Sequence, residues 1–273
     1  MIRTSLPHKR SVQAYINTCN ITDPVARAQL MDFADGIYAL GLWEDVVFWP
    51  LRSSQNAGTN STVYSLGGSQ PYNGTLTNEP TWGADGVETL TVGGTAPTKH
   101  IFIPLTRIAY SSRSCFTALN LAGYTLDDSF ACTCNWDLAY GTAGEGFKLS
   151  TRNGLSINFA AGVATNYKRA VTVDTITQNE FCTTATVFDS GVVKAASNGR
   201  GFYTGIHGAG TPATTISDTN PLHLLSNGAV ENNRGLCGTM AFYLDTLLVL
   251  TDAQYQAIHN LYKITLGNGL GIL

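Results

Sequence analysis

Gly238-Thr-Met-Ala-Phe-Tyr-Leu-Asp-Thr-Leu-Leu-Val-Leu250 reads as one long strand, and Thr251-Asp-Ala-Gln254 directly after it is a capping box that starts a helix. Leu250 and Tyr255 are spaced for a hydrophobic staple across that start. Ile258, Leu261 and Tyr262 continue one helical face until Gly267. Working back toward the N-terminus, helical periodicity is nearly absent from about Ser53 to Gly238, and short alternating runs take its place. Ile101, Ile103 and Leu105 alternate, and so do Leu155, Ile157 and Phe159 against Ser156, Asn158 and Ala160. Phe130, Cys132, Cys134 and Trp136 share one expected face. Val171 and Val173 repeat the pattern, and Phe181 to Phe188 is apolar enough on both faces for a central strand. About a dozen short strands at regular intervals make a sandwich or barrel. Asn73-Gly74, Asp85-Gly86, Asn153-Gly154, Asn198-Gly199 and Asn227-Gly228 offer the positive φ that tight hairpins need.

The N-terminal part differs. Thr22-Asp23-Pro24 gives an N-cap followed by proline at the first helical position. Leu30, Phe33, Ala34, Ile37 and Leu40 then form a helical stripe, and Gly41 suits its end, within a helical segment from Asn20 to Trp43. Leu42, Trp43, Val46, Val47, Phe48 and Trp49 follow as an apolar cluster expected to clamp the helix onto the body. The chain divides into an N-terminal arm and helix over 1–52, suited to docking, and a sandwich with a closing helix over 53–273.

The chain has 273 residues, 16 Lys+Arg and 19 Asp+Glu, a formal net charge of -3, and 13% charged residues. That composition excludes a disordered chain or a coiled coil, and it gives no nucleic-acid-binding charge balance. The longest apolar run, Phe242 to Leu250, falls short of a membrane span, so no membrane insertion is expected. Met1 to Arg10 has basic residues but no apolar run after them, which predicts synthesis in a cytoplasm and free thiols at Cys19, Cys115, Cys132, Cys134, Cys182 and Cys237. Cys132-Thr-Cys134 lacks the second pair of a structural zinc site, so core burial is the simpler reading, with no metal and no cofactor. The sequons Asn20-Ile-Thr, Asn60-Ser-Thr and Asn73-Gly-Thr read as chance without an export signal.

Gly41-Leu42-Trp43-Glu44-Asp45 after a helix resembles the entry of many tailed-phage structural proteins, and Trp82-Gly-Ala-Asp85-Gly86 resembles their W-x-x-D-G turn. Leu261-Tyr-Lys-Ile-Thr-Leu-Gly-Asn-Gly-Leu270-Gly resembles their terminal segment. Phe130 to Trp136, Gly146-Phe-Lys-Leu149, Asn220-Pro-Leu-His-Leu-Leu225 and Gly238 to Gln254 resemble core strands and the closing helix of laminin-G or concanavalin A-like lectin domains. The resemblance implies an all-β, concanavalin A-like (laminin-G-like) antiparallel jelly-roll sandwich with a short N-terminal helix and a C-terminal helix. It implies a bacteriophage virion surface protein, as head decoration, fibre or tail component. Its partners would be other virion proteins, further copies of itself and a host-surface glycan. The alternatives are a stand-alone carbohydrate-binding adhesin and a glycoside hydrolase of the same fold.

Hydrolysis needs two carboxylates about 5–9.5 Å apart. No triplet of acids at alternate positions supplies them, and Glu44-Asp45 and Asp127-Asp128 would point to opposite faces. No G-x-S-x-G elbow is present, no two of His8, His100, His207, His223 and His259 are four apart, and no helix opens after Gly205-Ile-His-Gly208-Ala-Gly210. The expectation is therefore a non-enzyme. Sugars stack on aromatic rings and bond to amides and carboxylates, which makes Tyr72, Asn73, Trp82 and Asp85 candidates for a loop site and Tyr140, Tyr203 and Asn233 candidates at the rim. The competing reading is that Trp82 and Tyr203 plug the ends of the core.

Overall fold

The computed structural model describes residues 6–272 apart from 59, 69–70, 90–98, 124–128, 134–144, 153–155, 164–165, 173–175, 205–206, 210–212 and 227–236. The described residues form two antiparallel sheets. The first runs β15 (Tyr203–Thr204), β14 (Val192–Ser197), β13 (Phe181–Asp189), β8 (Ser112–Gly123), β18 (Cys237–Thr246), β1 (Val46–Pro50) and β3 (Leu66–Gly67). β6 (Val87–Glu88) also pairs with β18, and β5 (Thr81–Trp82) pairs with β6. The second runs β16 (His207–Ala209), β12 (Asn166–Val171), β11 (Ser156–Val163), β10 (Gly146–Arg152), β9 (Ser129–Cys132), β17 (Leu222–Leu224), β7 (His100–Ile103), β4 (Gly74–Thr77) and β2 (Thr62–Val63). This is the antiparallel β-sandwich that the alternating runs predict. The helices α1 (Pro7–Thr18), α2 (Pro24–Ala39) and α3 (Asp252–Ile264) share an apolar cluster with the outer face of the first sheet.

β1 explains the apolar cluster before Pro50. Val47 and Trp49 enter the core between the sheets, while Val46 and Phe48 lie in the cluster under the helices. A strand buried on both faces has no polar positions. The expected helix clamp is therefore an internal strand, paired with β18 on one side and β3 on the other. β18 divides its residues the same way: Met240 and Tyr243 face the inter-sheet core, Phe242 and Leu244 the helices. It ends at Thr246, four residues before the strand expected to reach Leu250. Leu247 and Val249 beyond it are among the exposed large apolar residues.

α2 starts as its sequence predicts, with the Asp23 carboxylate accepting from the Val25 and Ala26 amides at 3.0 and 3.3 Å. It ends at Ala39, earlier than Trp43, with Gly41 at φ 71. In α3 both halves of the capping box form. The sequence reading gave no helix over 7–18. Its signal is faint: proline in the first turn, then His8, Val12, Tyr15 and Ile16 as the buried stripe in an otherwise polar segment. His8 Nε2 lies 2.6 Å from Asp35 Oδ1, and its ring stacks on Tyr38 at 4.2 Å, which ties α1 to α2.

The alternation expected from Phe130 to Trp136 breaks at a bulge. Ala131 opposes Leu149 while Ser129 opposes Ser150, so Phe130 is an extra residue on its strand. Phe130 and Ala131 both belong to the inter-sheet core, and Cys132 sits across from His223 on the other face, buried but outside that core. Cys134 and Trp136 lie outside the described residues. Among the described residues Cys19, Cys115 and Cys182 are free, buried thiols, and Cys132 is buried too. Of the expected turns, Asn198 and Gly199 take φ of 50 and 71, whereas Asn73-Gly74 leads into β4 without a positive φ. Asn153-Gly154 and Asn227-Gly228 lie outside the described residues. Among the described residues no helix is long and apolar enough to cross a membrane.

Candidate functional site

β3 is an edge strand of the first sheet, and α1 runs beside it. Between them lies a cleft of about 380 Å³, lined on the helix by Ser11, Ala14, Tyr15 and Thr18 and opposite by Tyr64, Ser65, Gly67, Pro71 and Asn73. That volume falls within the range of small-ligand sites. Ser11, Ala14, Tyr15 and Thr18 recur at helical spacing, so one face of α1 supplies the wall. Ser11, Ala14 and Thr18 are short, and the hydroxyls of Ser11 and Thr18 suit a polar guest.

The cleft is built from buried side chains that no sequence motif announces. Asn56, 2% exposed, donates from Nδ2 to the carbonyls of Pro50 and Tyr64 at 2.8 and 2.9 Å. Its Oδ1 accepts from the Tyr64 and Ala57 amides at 3.0 and 2.8 Å. One amide side chain thus fixes the backbone that carries Tyr64. Its neighbour Gln55 accepts the Tyr15 hydroxyl on its carbonyl at 2.8 Å, and its Nε2 reaches the Leu266 carbonyl at 2.9 Å. Burial, then the nearby Cys19 thiol, holds the Tyr15 phenol well above its ordinary pKa, so it remains a hydrogen-bond donor. Across the cleft, Asn73 Oδ1 accepts the Ser65 amide at 3.0 Å, and Ser65 Oγ accepts the Tyr72 amide at 2.8 Å, closing the 65–73 loop on itself. Asn56→Ala would strand these buried groups and should cost about 2–3 kcal/mol of stability, read from urea unfolding.

Of the sequence-derived candidates, Asn73 lines this cleft. Tyr72, beside it, packs against the inter-sheet core with the Arg107 guanidinium 5.7 Å from its ring, and its carbonyl accepts the Trp49 indole N–H at 2.9 Å. Trp82 also packs on the core, and its indole donates to the Asn60 carbonyl at 2.8 Å, the plugging role weighed for it. Asp85 sits in the turn after it, 3.9 Å from Arg52. Among the described residues Trp82 and Asp85 share no hydrogen bond or ring contact with Tyr72 or Asn73. Tyr203, 50% exposed, is in β15 at the opposite edge of the first sheet from β3, six strand spacings or roughly 29 Å away. Tyr140 and Asn233 lie outside the described residues. Tyr64, Ser65, Ser11, Thr18 and Tyr15 were missed, because none stands in a recognisable motif and α1 itself was not expected.

Two carboxylates do meet elsewhere. Asp218 and Asp245 have no exposed side-chain surface and both bind Arg113, at 2.8 and 2.6 Å. Asp218 also accepts from Thr133 and Tyr110 hydroxyls at 2.7 and 3.1 Å, and Asp245 from Arg107 at 3.3 Å. Burial alone would lower the Arg113 pKa, but the two carboxylates outweigh it and hold it well above its ordinary value. The guanidinium also lies 4.2 Å from the Phe147 ring centre. This network ties β8 and β18 to Thr133 and to the segment that carries Asp218. Among the described residues no group of three or more His, Cys, Asp or Glu is placed to hold a metal.

No protein-family model matches the chain, and no curated protein matches it. Solved structures match in fold. A Trypanosoma rangeli sialidase in complex with sialic acid superposes with TM-score 0.56 at 11% identity over 81% of this chain and 33% of that one. A mutant of the same enzyme displaying trans-sialidase activity gives 0.57 at 8% identity over 88% and 39%. The chain thus spans well under half of those sialidases. The Ruminococcus gnavus sialidase module CBM40 bound to α2,3-sialyllactose gives 0.44 at 14% identity over 55% of this chain and 83% of that one. At these identities the likeness is one of fold alone.

Proposed function

We propose that this protein is a carbohydrate-binding β-sandwich module that holds a glycan in the cleft between α1 and β3. The observation that carries the reading is the cleft's lining, which combines the aromatic Tyr64 and the amide-bearing Asn73 with the hydroxyl-bearing Ser11, Thr18 and Ser65. A sugar offers an apolar C–H face and a rim of hydroxyls, and an aromatic ring with short polar side chains satisfies both. The fold is of a kind on which glycan sites are often carried, although the site and not the scaffold decides. Binding without turnover is the proposed activity. On a glycan array the protein should retain neutral glycans, and Tyr64→Ala and Asn73→Ala should each weaken binding about tenfold, or 1.4 kcal/mol, with circular dichroism showing both variants folded at the assay temperature. Silence of the wild type, undiminished binding by both variants, or release of reducing ends from a bound polysaccharide would count against it.

We propose further that the module belongs to a tailed-phage particle as a surface component, in contact with other virion proteins and with copies of itself. The support is the resemblance of Gly41 to Asp45 and of Leu261 to Gly271 to segments of such proteins. Mass spectrometry of purified particles should contain its peptides, and particles devoid of them would end this reading.

A further inference from the structure

The hydrogen-bond inventory of the cleft between α1 and β3 narrows what it can hold. Among the described residues its lining contains no Asp, Glu, Lys, Arg or His. A carboxylate, sulfate or ammonium group on a sugar would lose water there and meet no opposite charge. Several polar groups of the lining are already engaged within the protein. The Tyr15 hydroxyl donates to the Gln55 carbonyl at 2.8 Å, and Ser11 Oγ donates to the Pro7 carbonyl at 3.3 Å. Ser65 Oγ accepts the Tyr72 amide at 2.8 Å.

The groups left open have a particular chemistry. Asn73 Oδ1 accepts the Ser65 amide at 3.0 Å. An N–H can donate only to the oxygen, so this bond fixes which end of the side-chain amide is which. It leaves the Asn73 Nδ2 amine, with two N–H groups, without a partner among the described residues. The hydroxyls of Thr18, which is exposed, and Tyr64, which is half-buried, make no hydrogen bond among the described residues either. The open side-chain groups are thus one amine that only donates and two hydroxyls that do both, with no open amide or carboxylate oxygen. Ala14, Leu66 and Pro71 share the lining, and their side chains bond to nothing.

A plain hexose matches this poorly. Each of its hydroxyls needs an acceptor as well as a donor, and one set against Ala14, Leu66 or Pro71 loses water and gains no partner. An acetamido group matches it well: the carbonyl only accepts, the N–H needs one hydroxyl oxygen, and the methyl needs an apolar wall. We propose that the cleft selects an N-acetylhexosamine, with Asn73 Nδ2 donating to the acetamido carbonyl and the methyl lying on the apolar part of the lining. This rests on the glycan reading of the same cleft and gives that site its sugar.

The test is calorimetric titration of the full chain with chitotriose, with cellotriose and the deacetylated glucosamine trimer as the two controls. Chitotriose should bind at least about tenfold more tightly than either, the discrimination expected where a matched polar group and a methyl are both lost. Asn73→Asp keeps an oxygen for the Ser65 amide but replaces the donating amine, and it should bring the ratio of chitotriose to cellotriose affinity close to one. Ala14→Leu, at an exposed helix position that favours leucine, should fill the cleft and abolish binding of every trimer. Circular dichroism checks that both variants are folded. Equal affinity for chitotriose and cellotriose, lost in Ala14→Leu, overturns the acetamido assignment and leaves the cleft reading standing. So does failure of chitotriose to bind while other neutral glycans do. A preference that Asn73→Asp leaves unmoved also overturns the assignment. Binding that Ala14→Leu leaves unmoved overturns the cleft reading, and this one with it.

Discussion

Arg113→Met lowers the unfolding free energy by about 3–5 kcal/mol, because it removes the cation from a buried pair of carboxylates. Arg113 is 1% exposed in β8, with Nε 2.8 Å from Asp245 Oδ2 and NH1 2.8 Å from Asp218 Oδ2. The variant fills much of the same space but leaves Asp245 with Arg107, which is longer at 3.3 Å, and Asp218 with neutral donors. Coulomb attraction lost in a dry interior is not returned by water that cannot enter. Urea unfolding monitored by tryptophan fluorescence gives the measurement. A loss below about 1 kcal/mol would mean that the network behaves like an exposed pair. Pairing Arg113→Met with Asp245→Asn should recover part of the loss, since a neutral amide needs no cation; the non-additivity of the double-mutant cycle reports the coupling.

Phe33→Ala costs about 3–5 kcal/mol as well, for a different reason. Phe33 is fully buried in α2 and meets Phe48 of β1 and Phe242 of β18 edge-on, each at 5.3 Å between ring centres, with Tyr262 of α3 at 6.4 Å. It joins two helices to two central strands, so truncation leaves a cavity whose walls are held by both layers and collapse little. The same experiment asks whether the helices are part of the folding unit. One cooperative transition, shifted as a whole, is expected; a separate early transition with the sheet unfolding at its wild-type midpoint would show a detachable arm.

The parts of the fold that were legible in the sequence are those where local chemistry and tertiary packing agree. Asp23-Pro24 and Thr251 to Gln254 use side chains to satisfy helix-start amides within a few residues, and both caps form as read. Phe181 to Phe188, apolar on both faces, is a central strand between β8 and β14. Legibility failed where a distant partner decides. Val46 to Trp49 carries no alternation because helices cover one face and the second sheet the other, so its pattern suits a clamp as well as a strand. The bulge at Phe130 reverses the expected face of Cys132, and nothing in that segment marks it. α1 has a narrow buried stripe, and its stability comes from packing on α2 and the first sheet rather than from its own propensity. The cleft followed α1 out of view, leaving Asn73 as the one wall residue chosen in advance. Arg107, Arg113, Asp218 and Asp245 are scattered over more than a hundred positions, and the pairing of β8 with β18 and the loop contact between Arg107 and Asp218 bring them together.

The helical layer gives the molecule a front and a back. Val12 near one end of the described chain and Ile272 at the other both belong to that layer, and Arg52 grips the Leu266 and Asn268 carbonyls at 3.1 and 2.9 Å beside them. A tether grafted to either terminus would therefore hang from the greasy, helix-clad side. The second sheet would then point away from whatever the tether anchors, like the palm of a hand held at the wrist.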